Sequence, residues 1–405
     1  MNISRSLRNM NLKGHDFSKL IFGLPFFLIF IVNLYITRQQ GFIYAGELAV
    51  FAGVSTFISI MLSMRWDIEI LVKESQNLRE SLSNGIITIL IISIILLSIS
   101  YLYFSYNQTL GFNIYLIYSA ILIAFYELHM NIFLKKNEIV TFVILRLIPP
   151  ILLVIFSIQD FLPSQSWFFS YFFSLIILLF CVFCLHRDVW NLRVSLASFF
   201  HKFVLMLAPT FSALIANSIS VVWLISISYL FGSYEAGIWI NAYRITSLPV
   251  VFCGAVVLPL VLVAVGNKNL NYDKYIIMFK FSFLLILLTL ITSLIFFVQG
   301  EQIFYHLTNQ KSSLSSLLLL SILFISFMQY SIQYWKELFQ SVNKTIIMLL
   351  ILSIELFLSI LIYSYFDGVN IETFVNWILV ITSFCFSLIL LLILNSFLKF
   401  KNLII

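Results

Sequence analysis

The sequence predicts an all-α membrane protein that crosses a bilayer about twelve times, and three observations predict it. Of 405 residues, 61% are hydrophobic and only 10% charged, with a mean hydropathy of +1.05, whereas soluble domains carry about 25% charged residues. The apolar residues gather into stretches that, at ~1.5 Å of rise per residue, cross the roughly 30 Å hydrocarbon layer as helices. The connections between them are alternately rich and poor in Lys and Arg.

In chain order the stretches are 18–36, 43–63, 84–104, 113–133, 139–158, 166–185, 205–230, 236–264, 280–298, 314–335, 346–366 and 373–397. Arg5, Arg8, Lys13 and Lys19 lead into the first, which is too long for a secretory signal and lacks a small-x-small cleavage site. Arg65, Lys73 and Arg79 follow the second, Lys135 and Lys136 the fourth, and Arg187, Arg193 and Lys202 the sixth. Lys268, Lys274 and Lys280 follow the eighth, Lys336 and Lys344 the tenth, and Lys399 and Lys401 the twelfth. The opposite connections hold only Arg38 and Lys311, so the even-numbered connections and both termini are expected in the cytoplasm. The formal net charge of +6 then reflects topology and anionic headgroups, with no nucleic acid implied. Trp66, Trp167, Trp190, Trp239, Trp335 and Trp377 fall near span ends, where indoles settle at the headgroup level; only Trp223 lies deep.

Short loops exclude several function classes. There is no room for a soluble domain, no G-x-x-x-x-G-K-[ST] phosphate loop, and only scattered acids on the external side (Asp160, Glu235, Glu301, Asp367, Glu372). An enzyme is therefore not expected. Cys181 and Cys184 have C-x-x-C spacing, but they lie in an apolar span with no second pair and read as small hydrophobes. His129 and Glu127, two apart, do not share a helical face, and no metal or other cofactor is implied.

Ionisable groups inside spans remain. Arg146 lies in the fifth, Arg244 in the eighth, Glu127 in the fourth and Glu355 near the middle of the eleventh. A charge in hydrocarbon costs several kcal/mol (~2.5–3.5 on insertion scales) unless it faces a bundle interior or a wet cavity. Two readings stay open: an internal pair such as Arg146 with Glu127 that only fixes packing, or a cationic cavity. The halves also look related. Pro25 and Asn33 are spaced as Pro209 and Asn217, and each pair is followed by a hairpin with Ala-Gly, Ala45-Gly46 and Ala236-Gly237. Two six-helix lobes around a central cavity follow, with Pro249 and Pro259 adding kinks. The organisation is a cytoplasmic N-terminus (1–17), a first lobe (18–185), a cytoplasmic linker (186–204), a second lobe (205–398) and a cytoplasmic C-terminus (399–405).

Certain segments carry a family resemblance. Thr37-Arg38-Gln39-Gln40-Gly41 through Ala45-Gly46-Glu47-Leu48-Ala49, then Met64-Arg65-Trp66-Asp67-Ile68-Glu69-Ile70-Leu71, resemble the first hairpin and the end of the second span in Wzx-type polysaccharide flippases. Phe231-Gly232-Ser233-Tyr234-Glu235-Ala236-Gly237-Ile238-Trp239, followed by Ala242-Tyr243-Arg244-Ile245 and Pro249, is similar to the family's FG-x-x-x-x-G-x-[WY] hairpin. The resemblance implies the MATE-like fold of the multidrug/oligosaccharidyl-lipid/polysaccharide superfamily. It also implies a cargo, an oligosaccharide repeat unit on undecaprenyl pyrophosphate, moved from the cytoplasmic to the periplasmic leaflet of the bacterial inner membrane for O-antigen or related polymers. For that cargo Arg146 and Arg244, with Arg65 at the inner mouth and Arg38 at the outer, are the pyrophosphate candidates, since guanidinium suits a bidentate phosphate. Asn33, Asn217 and Tyr243 are candidates for the sugars, and membrane lipid holds the tail. Glu355, and less so Glu127, are candidates for ion coupling. A polysaccharide polymerase and a chain-length regulator are the implied protein partners. The alternative is a multidrug or metabolite antiporter of the same fold, favoured by an acidic, aromatic cavity.

Overall fold

A computed structural model describes the chain over residues 16–67, 70, 78–107, 110–135, 138–158, 166–185, 196–266, 271–309, 315–340, 345–365 and 370–401. Among these residues it consists of eleven helices: α1 (Asp16–Ser63), α2 (Leu78–Asn107), α3 (Leu110–Lys135), α4 (Ile139–Ile158), α5 (Ser166–Leu185), α6 (Leu196–Phe231), α7 (Ser233–Gly266), α8 (Asn271–Thr308), α9 (Ser316–Gln340), α10 (Thr345–Tyr365) and α11 (Ile371–Lys401). The first is bent. Gly41, at φ 87° and ψ 176°, breaks the helix into two arms, a backbone state that only glycine reaches without a Cβ clash. Among the described residues the bend divides eleven helices into twelve helical arms. α4 and α5 coincide with stretches 139–158 and 166–185, while α6 and α8 begin about two turns earlier than the apolar pattern does.

Seven stretches of the described residues are long and apolar enough to cross a membrane, and Thr141–Leu152, Phe172–Cys181 and Ser316–Ile332 are shorter apolar helices. The first half of α7 carries Glu235, Asn241, Arg244, Thr246 and Ser247. Large apolar side chains stand exposed around the outside, among them Ile94, Phe180, Leu294, Phe297, Ile346 and Phe357. Such a belt is unstable in water and ordinary against lipid tails. The chain is a multi-pass membrane protein.

The main helix contacts fall into two groups, one among α1–α5 and one among α6–α11, joined chiefly by α1 against α6, α7 and α8. The α1–α7 contact is the most extensive, and small residues explain it. A Cβ on Gly46 would lie 2.2 Å from the Ser233 carbonyl oxygen, and one on Gly237 would lie 1.8 Å from that of Phe42. Backbones that close require glycine, the means by which helices associate where no hydrophobic driving force exists between them. The two hairpins repeat one pattern, Gly-x-x-x-Ala-Gly, at 41–46 and 232–237, and each first glycine has positive φ, 87° at Gly41 and 94° at Gly232.

The tryptophans correct one expectation. Trp66, Trp239 and Trp335 are buried and packed inside the protein, and only Trp377 of the described span-end indoles is exposed. The side chains of Trp167 and Trp190 lie outside the described residues.

Candidate functional site

Two chambers flank the second arm of α1. The first, of about 550 Å³, lies between α1 and helices α3, α4 and α5, and is lined by Asn33, Thr56, Ser59, Ser63, Arg65, Asp67, Glu127, Arg146, Pro149, Pro150 and Arg244 among apolar neighbours. The second, of about 270 Å³, lies between the same arm and α6 and α7; Asn217, Ser220, Trp223, Trp239, Tyr243 and Arg244 line it. Ala52, Thr56 and Arg244 belong to both walls. Ala49, Ala52, Gly53 and Thr56 recur at the helical i, i+3, i+4, i+7 spacing, and their small side chains leave the space.

Each arginine of the first chamber is placed by a distinct local device. α1 stops at Ser63, and Met64 and Arg65 adopt left-handed backbone, φ 46° and 57°, at a cost of about 1–2 kcal/mol per residue. The turn is held by Trp66, fully buried and stacked on Phe199 of α6 at 6.3 Å, and by Asn131, whose Nδ2 donates to the Asp67 carbonyl at 3.1 Å. Arg65 Nε stands 3.6 Å from Asp67 Oδ1. Arg146 on α4 donates to both Glu127 oxygens, at 3.1 and 3.3 Å, and its guanidinium carbon lies 5.0 Å from the Phe142 ring centroid. One turn on, Pro149 and Pro150 lack the N–H groups that would bond the carbonyls of Leu145 and Arg146, a weak point in α4 at the chamber wall.

Arg244 differs. Among the described residues no carboxylate pairs with it. It follows Tyr243 in a ladder of rings: Trp239 to Tyr243 at 6.2 Å, Tyr243 to Tyr330 at 6.0 Å, and Tyr330 to Tyr334 at 6.2 Å. Three guanidinium groups against two carboxylates leave the chamber walls with a surplus of one positive charge.

Asn33 and Asn217 behave alike, one in each chamber. Asn33 Nδ2 donates to the Ile29 carbonyl at 2.7 Å and Asn217 Nδ2 to that of Ala213 at 2.9 Å. Neither Oδ1, an acceptor with two lone pairs, is bonded among the described residues.

Two of the candidates stand outside both chambers. Arg38 is away from both chambers: its Nε donates to the Leu307 carbonyl at 2.7 Å and a terminal nitrogen donates to the His306 carbonyl, capping the end of α8. A helix C-terminus presents carbonyls with no N–H partner, and a nearby guanidinium is drawn to them. Glu355 is fully buried between α9 and α10 and lines neither chamber. Gln329 donates to its Oε1, and its Oε2 has no partner among the described residues. Ser359, one turn on, accepts the Trp223 indole N–H at 3.0 Å, and Trp223 lines the second chamber.

Sequence reasoning did not single out Thr37, whose hydroxyl lies 3.0 Å from Asn241 Oδ1 across the α1–α7 seam, nor the small-residue face of α1, nor Pro149-Pro150. The spacing of Ala49, Ala52, Gly53 and Thr56 was the available signal.

No family model matches this chain, and no curated protein sequence matches it. Solved structures do. An inward-facing multidrug resistance MATE family transporter of the MOP superfamily aligns over 94% of this chain and 96% of its own, with TM-score 0.67 and 12% identity. The MATE multidrug transporter DinF-BH aligns over 97% of this chain and 96% of its own, with TM-score 0.67 and 11% identity. A MOP superfamily transporter from Pyrococcus furiosus, reported to have a binding pocket of reverse polarity, aligns over 95% and 94% with TM-score 0.60 and 13% identity. The fold is that of MATE transporters of the MOP superfamily.

Proposed function

We propose that the chain is a flippase carrying undecaprenyl-pyrophosphate-linked oligosaccharide repeat units from the cytoplasmic to the periplasmic leaflet of a bacterial inner membrane, by alternating access, for O-antigen or a related surface polymer. The observation that carries this reading is the convergence of Arg65, Arg146 and Arg244 on one chamber inside a membrane protein, with a positive surplus. Buried guanidinium groups are costly in a bilayer, and a pyrophosphate offsets that cost with bidentate, charge-assisted bonds of about 1.5–3 kcal/mol each. A MATE-like multidrug or metabolite antiporter remains the competing reading, supported by the shared fold. An organic cation would meet repulsion in the first chamber. Both termini in the cytoplasm and a partnership with a polymerase and chain-length regulator belong to the same proposal.

With no nucleotide-binding motif in the sequence, the cycle draws on an ion gradient or on removal of cargo outside. Glu355, a buried carboxyl with one oxygen unpartnered among the described residues, is the coupling group, while Glu127 is held by Arg146. In vesicles given a pH gradient, Glu355→Gln should slow transport and flatten its dependence on the gradient; wild-type transport indifferent to proton and sodium gradients removes the role.

The direct test is reconstitution with the lipid-linked glycan. Arg244→Ala is expected to lower transport by roughly tenfold or more, as loss of one charge-assisted bond should, and Arg244→Lys to restore part, because an ammonium is not a planar fork. Unchanged transport in Arg244→Ala and Arg65→Ala, or uptake of organic cations in place of glycolipid, overturns the reading.

A further inference from the structure

We infer that the second chamber is a carbohydrate subsite, separate from the phosphate-binding first chamber, and that Arg244 stands at the junction where the pyrophosphate joins the first sugar. The inference rests on the cargo proposed above and says how that cargo is divided.

The two chambers have different chemistry. The first holds all the acids and three arginines, as suits a charged group in a largely apolar setting. The second has Arg244 as its single charged residue, at its border with the first. The rest of its polar wall is neutral: the Oδ1 of Asn217, with no partner among the described residues, and the hydroxyls of Ser220 and Thr56. Its aromatic wall is Trp223, Trp239 and Tyr243, the last two tilted by 32° to one another at 6.2 Å. A pyranose has an apolar C–H face and a rim of hydroxyls. Aromatic rings suit the face and neutral acceptors suit the rim, because each ring presents a negative π surface to polarised C–H bonds. A prenyl tail fits less well, since it would bury the Asn217 acceptor without a partner. A volume of about 270 Å³ is just below the range of ligand pockets, which starts at roughly 300 Å³, enough for a sugar ring at the reducing end and too little for a long repeat unit.

The repeat adds an independent reason. Asn33 and Asn217 make the same bond to the carbonyl four residues back, so the two chambers are built on equivalent asparagines. They diverge in their other residues: Arg65 and Arg146 face the first chamber, and Trp239 and Tyr243 the second. Equivalent cradles with different linings are what one cargo with two unlike parts requires.

The experiment measures equilibrium binding to detergent-purified protein of two probes, sugar-free undecaprenyl pyrophosphate and the same lipid carrying one N-acetylhexosamine. Wild type is expected to bind the glycosylated lipid more tightly. Tyr243→Leu and Asn217→Ala should each weaken it about tenfold, the loss of one contact of ~1.4 kcal/mol, and leave the sugar-free lipid unchanged. Tyr243→Phe, which keeps the ring, should retain most of the preference and shows that the loss is not misfolding. Arg146→Ala should weaken both probes. Equal loss of both probes in Tyr243→Leu and Asn217→Ala, or no loss of either, overturns the carbohydrate subsite while leaving the cargo proposal standing. If wild type binds neither probe, the cargo proposal fails and takes the subsite with it.

Discussion

Arg146 bears on both roles that sequence reasoning left as alternatives, packing and binding. It pairs with Glu127, and the pair lines the chamber. The packing role and the binding role separate by comparing single with double substitutions. Arg146→Gln leaves Glu127 without its partner and lowers the chamber's charge surplus to zero, so stability and transport should both fall. Glu127→Gln raises the surplus and should keep transport while lowering the melting temperature slightly. Arg146→Gln combined with Glu127→Gln restores the original surplus and removes the orphaned charge, so stability should recover, as replacing both members of a partly buried pair is often near neutral. Transport should not recover, since the guanidinium itself is missing, and a deficit of about tenfold to a hundredfold corresponds to one charge-assisted contact. Full recovery of transport in the double variant would assign Arg146 to packing alone. The measurement pairs a thermal melt in detergent with glycolipid transport in vesicles.

Three glycines separate the causes of tight helix association at the level of the element. Gly237→Ala places a methyl 1.8 Å from a backbone oxygen of α1, so α1 and α7 must part; overpacking typically costs about 1–3 kcal/mol, and a drop of several degrees in melting temperature is expected. Gly232→Ala meets nothing within 4 Å but sits at φ 94°, and should cost about 1 kcal/mol of backbone strain. Gly53→Ala meets Val221 and Leu224 at 3.6 and 3.9 Å, ordinary contact distances, and should be close to neutral. An order of effects other than Gly237, Gly232, Gly53 would mean that the α1–α7 seam is looser than described. The elements themselves were legible in the sequence, because a membrane helix must satisfy its backbone internally and announces itself by length and apolarity. α4 and α5 were readable to the residue. The burial of Trp66, Trp239 and Trp335 was not, since an indole near a span end has the same sequence signature whether it faces lipid or a neighbouring helix. The fate of Arg38 was hidden for a similar reason: the carbonyls that hold it belong to His306 and Leu307, distant in sequence, and their availability is set by where α8 ends. Arg244 was legible because a charge inside an apolar span is costly wherever it points.

The two helix groups meet at two levels of the molecule, one near the bend of α1 and one near its end, separated by about 22 residues or roughly 33 Å of helix. At the bend, Gly46 abuts Gly237, Thr37 meets Asn241, and Arg38 reaches the end of α8. At the far end, Lys202 of α6 pairs with Glu80 of α2 at 2.6 Å, and Phe199 stacks on Trp66. The alternating access proposed above requires that these two levels not hold together throughout the cycle, because a chamber sealed at both ends admits nothing. The far-end contacts are the ones suited to break. They are made by side chains alone, one of them an ion pair whose members remain 14% and 26% exposed and can be rehydrated, whereas the bend adds backbone-against-backbone contact at Gly46 and Gly237 to its side-chain bonds. A protein with its native cysteines replaced and cysteines introduced as Glu80→Cys and Lys202→Cys, joined by a short reducible cross-linker, is therefore expected to lose transport of the lipid-linked glycan, and to regain it when the linker is reduced. The same reagent on either single variant should do nothing. Transport at the wild-type rate with the cross-link in place would show that α2 and α6 do not separate during the cycle, and would move the opening to the seam at the bend, where Gly41 and Gly232 would then have to act as hinges.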